Sequence, residues 1–129
     1  MAYHVYNSLG TLRTINRYVI IECDKELGAY YRRLVRCGLG WAHEVHKPMW
    51  GYHISIVVSK YETIPDNFVD LSLQYEGLSV EYWYANAVQT DGTFFWLPVC
   101  CPPILDLREK LGLRRQTHYP LHLTFGNIK

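Results

Sequence analysis

Gly51-Tyr52-His53-Ile54-Ser55-Ile56-Val57-Val58-Ser59 reads as a β-strand whose two faces differ in chemistry. Side chains alternate along a strand, so Ile54, Ile56 and Val58 point one way while His53, Ser55 and Val57 point the other. An imidazole and a hydroxyl therefore stand together on a short rigid element. The pattern returns at Leu121-His122-Leu123-Thr124-Phe125, where Leu121, Leu123 and Phe125 face a core and His122 shares the opposite side with Thr124. The rest of the chain reads as the scaffold that brings the two pairs together.

Working outward from the first strand, residues 41–50 carry His43, His46 and Pro48 without a clean period and predict a loop. Before it, residues 25 to about 37 place Leu27, Tyr30, Tyr31, Leu34 and Val35 at helical spacing, with Asp24 as cap and Gly38 or Gly40 as stop. Residues 17–23 are β-branched and aromatic and predict a strand. Residues 1–16 are mixed and predict a loose start, tied down by Tyr3 and Tyr6. Beyond the His53 strand, residues 68–75 and 78–86 read as two further strands around Glu76-Gly77. Asp91-Gly92 marks a hairpin between residues 87–90 and 93–100, because Gly accepts the positive φ of a tight turn. Pro98 suggests that the outgoing strand ends near a sheet edge. Pro102-Pro103 opens a second helix, residues 104–111, with Gly112 as its stop. A polar linker, residues 113–119, then leads to the His122 strand. Both halves run strand, helix, loop, then a strand with His-x-Ser or His-x-Thr. That order predicts one α+β domain, residues 1–129, of two similar lobes (roughly 17–60 and 78–129) with antiparallel sheets and a helix each. A pseudo-twofold would set His53 and His122 facing each other across a groove.

A chain of 129 residues, 49% hydrophobic, with eleven tyrosines and four tryptophans, is long enough for a core and too apolar for disorder. Its formal charge of +1 excludes the basic footprint of a duplex DNA binder and suits a short ligand with one or a few phosphates. No basic stretch followed by an apolar run opens the sequence, and nowhere do about eighteen apolar residues follow one another. The expectation is a soluble, cytoplasmic protein without a membrane partner. Cys23, Cys37, Cys100 and Cys101 show no CxxC spacing and read as free buried thiols.

Imidazole, with an ordinary pKa near 6.5, can be neutral in one copy and protonated in another close to pH 7. Two copies make a natural base and acid for breaking a phosphodiester, each step contributing about 10²–10⁴-fold, and the chemistry requires no metal or cofactor. Ser55 and Thr124, two residues along the same strand faces, can donate to the nonbridging phosphate oxygens as negative charge develops.

The motifs Tyr52-His53-Ile54-Ser55-Ile56 and Leu121-His122-Leu123-Thr124-Phe125 resemble the two H-x-(S/T) motifs of the two-histidine (2H) phosphoesterase superfamily. That superfamily includes RNA 2',3'-cyclic phosphodiesterases, the so-called 2'-5' RNA ligases, and phage anti-CBASS nucleases that degrade cyclic oligonucleotide signals. The 69 residues from His53 to His122 and the short chain are most similar to the phage group. The resemblance implies that His53 and His122 are the catalytic acid and base and that Ser55 and Thr124 are the phosphate-oriented hydroxyls. It implies attack by a ribose 2'-OH on a 3'-5' linkage, leaving a 2',3'-cyclic phosphate, and, for a phage-encoded chain, a place in the host cytoplasm. Position 55 is Ser where Thr is commoner. Trp41, Trp50, Tyr52 and Tyr119 flank the motifs and are the candidates to stack on bases.

Three other readings compete. An RNA-end 2',3'-cyclic phosphodiesterase would use the same residues. A metal centre could draw on His43, His46 and His53, although the HExxH spacing is absent. A noncatalytic module could sequester a nucleotide in the same groove without turnover. Which histidine is the base, the base preference and the oligomeric state are open in the sequence.

Overall fold

The computed structural model describes residues 4–39 and 44–128. Along them run β1 (Val5–Ile15), β2 (Tyr18–Glu22), α1 (Lys25–Leu39), β3 (His53–Val57), α2 (Phe68–Leu73), β4 (Ser79–Ala85), β5 (Gln89–Thr90), β6 (Phe94–Cys100), α3 (Pro102–Lys110) and β7 (His122–Asn127). The fold is α+β, and the pairings between these strands are all antiparallel. The strands form one sheet in the order β4-β1-β2-β3-β7-β6-β5. The two sheets expected of two lobes are thus one continuous sheet. It closes on itself because β6 is long enough to hold β7 along Phe94–Pro98 and still reach β4 through Tyr84↔Val99 and Trp83↔Cys100. Six strands make the closed ring, and β5 hangs on β6 as a two-residue appendage.

The alternation of β3 and β7 decides which side is core. Ile54, Ile56, Leu123 and Phe125 are all 1% exposed or less and belong to one hydrophobic cluster that also takes Tyr31 from α1, Phe68 from α2, and Ile104 and Leu107 from α3. Each such side chain contributes about 1.5–3 kcal/mol on burial. Helix α1 packs on β7, where Tyr31 meets Phe125 at 5.9 Å between ring centroids, and α3 packs on β3. The start of α1 is as expected, with Asp24 Oδ1 accepting from the Glu26 N–H at 2.9 Å. Gly28 lets this helix lie flush on Tyr52, since a Cβ there would sit 2.0 Å from the Tyr52 ring.

Several local readings need correction. Residues 5–15 are a long strand, not a loose start. The segment is mostly exposed, and what orders it is pairing on both sides, with β2 and with β4. Its turn into β2 uses Asn16 at φ 55, a left-handed conformation that Asn tolerates. Residues 68–73 are helix, not strand, because Phe68 and Ser72, four apart, are the positions that turn inward. Pro98 does not end β6. It lies between the stretch of β6 that holds β5 and the stretch that holds β4, where no ladder bond is asked of its missing N–H. The hairpin at Asp91-Gly92 is as predicted: Gly92 has φ 94, and Asp91 Oδ1 accepts from the Thr93 and Phe94 N–H groups. Helix α3 ends as predicted at Gly112, φ 82, with the Leu113 N–H reaching back to the Arg108 carbonyl.

Among the described residues no helix is long and apolar enough to cross a membrane. The cysteines are free, but Cys37 and Cys100 are exposed while only Cys23 and Cys101 are buried.

Candidate active site

Strands β3 and β7 are neighbours, and their register sets His53 opposite Thr124 and Ile54 opposite Leu123. The same register sets Ser55 across from His122. Residues opposite one another share a face, so the four polar side chains form a two-by-two patch with the histidines on one diagonal and the hydroxyls on the other. Diagonal neighbours of this kind stand roughly 7–8 Å apart. All four residues are partly exposed, while their strand neighbours Ile54 and Leu123 are buried on the other side.

Both imidazoles are oriented in the same way. His53 Nδ1 lies 2.8 Å from the carbonyl oxygen of Gly51, and His122 Nδ1 lies 2.8 Å from that of Pro120. A carbonyl oxygen only accepts, so each Nδ1 carries a proton and each Nε2 is left outside that contact. Burial lowers the His53 pKa below the ordinary histidine value. The Gly51 carbonyl pulls it partly back, and the nearby His122 lowers it further. His53 is thereby biased toward the neutral form that accepts a proton at Nε2. Neither Ser55 nor Thr124 has its hydroxyl engaged by a hydrogen bond among the described residues.

Two tryptophans flank the patch. Trp50 lies 5.8 Å from His53 between ring centroids, and Trp96 lies 5.7 Å from His122. Both are partly exposed. Trp50 was expected from its place beside the motif. Trp96 was not, because only its pairing with Thr124 across β6 and β7 brings it to this face, and a register shift between Phe95 and Trp96 resets the alternation there.

Of the other candidates, Tyr52 is 5% exposed and packs against Gly28, so its ring is part of the core rather than a stacking surface. It lies one residue from His53 and so follows the Ile54 face. Tyr119 is 54% exposed, in contact with His118 and Tyr61. Trp41 and His43 lie outside the described residues. His46 is exposed and joined by its backbone to Asn127. Among the described residues no three His, Cys, Asp or Glu side chains gather as a metal site would require. The buried Cys23 thiol is pushed up to about 12 by desolvation, which keeps it protonated.

Arg108 is the supporting residue that sequence reasoning missed. It is 0% exposed, and all five of its N–H groups are used. Nη1 donates to the Ile56 carbonyl at 2.8 Å and to Glu62 Oε2 at 2.9 Å, and Nη2 donates to Glu62 Oε1 at 2.7 Å. Nε and Nη2 reach the Arg114 and Gln116 carbonyls at 2.9 and 3.1 Å. One side chain thus ties the far part of β3 to the loop that delivers His122. The signal was present in the sequence: Ile104, Leu107, Arg108 and Leu111 share one helical stripe, and an arginine within such a stripe must be met by acceptors.

No protein-family model, curated protein or solved structure matches the chain.

Proposed function

We propose that this chain is a metal-independent phosphodiesterase that cleaves 3'-5' linkages of small ribonucleotides, with cyclic oligonucleotide signals as its substrates and an anti-CBASS role. The observation that carries the reading is the two-by-two patch with both Nε2 atoms left unbonded by the carbonyl contacts at Nδ1. His53 Nε2 takes the proton of the ribose 2'-OH, the 2'-oxygen bonds to phosphorus, and the bond from phosphorus to the 5'-oxygen breaks. His122, protonated at Nε2, gives its proton to that departing oxygen. The products are a 2',3'-cyclic phosphate and a free 5'-hydroxyl. Ser55 and Thr124 donate to the nonbridging oxygens, and Trp50 and Trp96 offer faces for the bases.

The order of elements supports two related halves. Strands β1 and β2, helix α1 and β3 correspond in turn to β4, β6, α3 and β7, with β3–β7 and β1–β4 as the joining pairs. Each half lends its helix to the other's strand, α1 to β7 and α3 to β3. A repeat of this kind would account for the two motifs meeting on adjacent antiparallel strands.

The test is incubation of the purified protein, with EDTA present, against 3'3'-cyclic GMP-AMP, its 2'-deoxy analogue and a 2',3'-cyclic mononucleotide. The expected result is cleavage of the first alone, lost in His53→Ala and in His122→Ala. Opening of the cyclic mononucleotide alone would move the function to RNA-end processing. Binding without turnover, retained in both variants, would leave a sequestering module.

A further inference from the structure

Past one end of the β3–β7 pair, two loops bring together an exposed aromatic cluster. His118 stacks on Tyr61 with ring centroids 4.8 Å apart and planes 12° from parallel. Tyr119 stands at right angles to both, 5.4 Å from Tyr61 and 4.5 Å from His118. Tyr61 and Tyr119 are nevertheless 42% and 54% exposed, and Lys60 Nζ lies 5.7 Å from the Tyr61 ring centroid. An exposed ring whose orientation is already set by its neighbours loses little freedom when a second ring is laid on it.

The cluster's position gives it a direction. Strand β3 runs out toward Val57 where β7 begins at His122, so both loops leave the sheet beyond Ser55 and His122 and not beyond His53. Tyr119 is next in the chain to Pro120, whose carbonyl orients His122. The Thr117 hydroxyl donates to the Tyr119 carbonyl and tightens the same turn. The ring beside His53 is Trp50, which packs on Tyr18 at 5.0 Å and so flanks the patch on the β2 side, apart from this cluster.

Resting on the phosphodiesterase reading, we propose that Tyr119, braced by Tyr61 and His118, is the stacking platform for the base of the leaving nucleotide. That nucleotide departs with the 5'-oxygen that His122 protonates, so its base must lie on the His122 side. Lys60 adds positive charge at that end, suited to a ligand that carries phosphate.

The experiment uses the diribonucleotide UpA, a counterpart whose leaving nucleoside lacks its base, and the 2'-deoxy form of UpA as a ligand that cannot be cleaved. Tyr119→Ala should bind 2'-deoxy UpA roughly 5- to 150-fold more weakly, the range of one base–aromatic stack, and Tyr119→Phe should bind it as the wild type does. Toward the abasic counterpart, Tyr119→Ala should keep the wild-type kcat and KM, a result that damage to the His122 turn would not give. Unchanged binding in Tyr119→Ala would overturn the platform, as would no measurable binding of 2'-deoxy UpA by the wild type. Wild-type binding that Tyr119→Ala weakens, without cleavage of UpA or 3'3'-cyclic GMP-AMP, would keep the platform and sink the enzyme.

Discussion

His53 and His122 carry the same motif and the same carbonyl contact, yet their surroundings differ. His53 follows a turn that α1 covers, with Tyr52 pressed on Gly28, and burial depresses its pKa. His122 follows a polar loop that Arg108 ties to β3. Repeating a motif makes two equivalent imidazoles. Under the proposed mechanism, copies placed in unlike ground take unlike parts, His53 as base and His122 as acid.

The largest effect should come from breaking the pair itself. His53→Ala and His122→Ala should each lower kcat/KM by about 10²–10⁴-fold, and the double variant should be little worse than the more damaged single one, because the two act as a unit. A double variant whose loss equals the product of the two would mean that the histidines act independently.

The next effect is on the support of the His122 side. Arg108→Ala leaves the Glu62 carboxylate and three carbonyls without their donor, so unfolding by denaturant should show a loss of about 3–5 kcal/mol. A loss under 1 kcal/mol would show that the linker holds itself.

On the His53 side the matching change is Gly28→Ala. Alanine gains about 1 kcal/mol in helix propensity, but its Cβ would meet the buried Tyr52 ring at 2.0 Å, and overpacking of this kind costs about 1–3 kcal/mol. A net destabilisation is expected, together with a fall in activity as Tyr52 shifts and carries His53 with it. Increased stability with full activity would show that the helix yields freely there.

The smallest effect is in the pH dependence. Because the folded-state pKa of His53 is depressed, the unfolded chain takes up this proton first as pH falls. Its contribution to stability is complete above about pH 6.5, the unfolded value, and declines below it until the folded protein also protonates. His53→Gln should flatten that slope in denaturant titrations between pH 7 and 5. In wild-type kinetics the acidic limb of kcat/KM should bend below 6.5, whereas a bend above 6.5 would remove the assignment of His53 as base.

Much of the site was legible because it is local. Alternation about Ile54 and Leu123 separates imidazole and hydroxyl from the core by period alone, Asp24 and Asp91 announce their turns through carboxylates that accept from nearby backbone N–H groups, and Gly92 and Gly112 do so by tolerating positive φ. The partnership of the two motifs was suggested by repetition, but the diagonal patch is a matter of register between strands whose histidines stand 69 residues apart. Residues 5–15 became a strand because two neighbours pair with them, and residues 68–73 became a helix because the core wanted Phe68 and Ser72 on one side. Closure of the sheet, the arrival of Trp96 beside His122, the withdrawal of Tyr52 into the core and the saturation of Arg108 were likewise decided in three dimensions. Composition and short-range pattern carry information about a residue's own backbone and face. Pairing, burial and the depression of the His53 pKa depend on what the rest of the chain brings near, and only the folded arrangement supplies that.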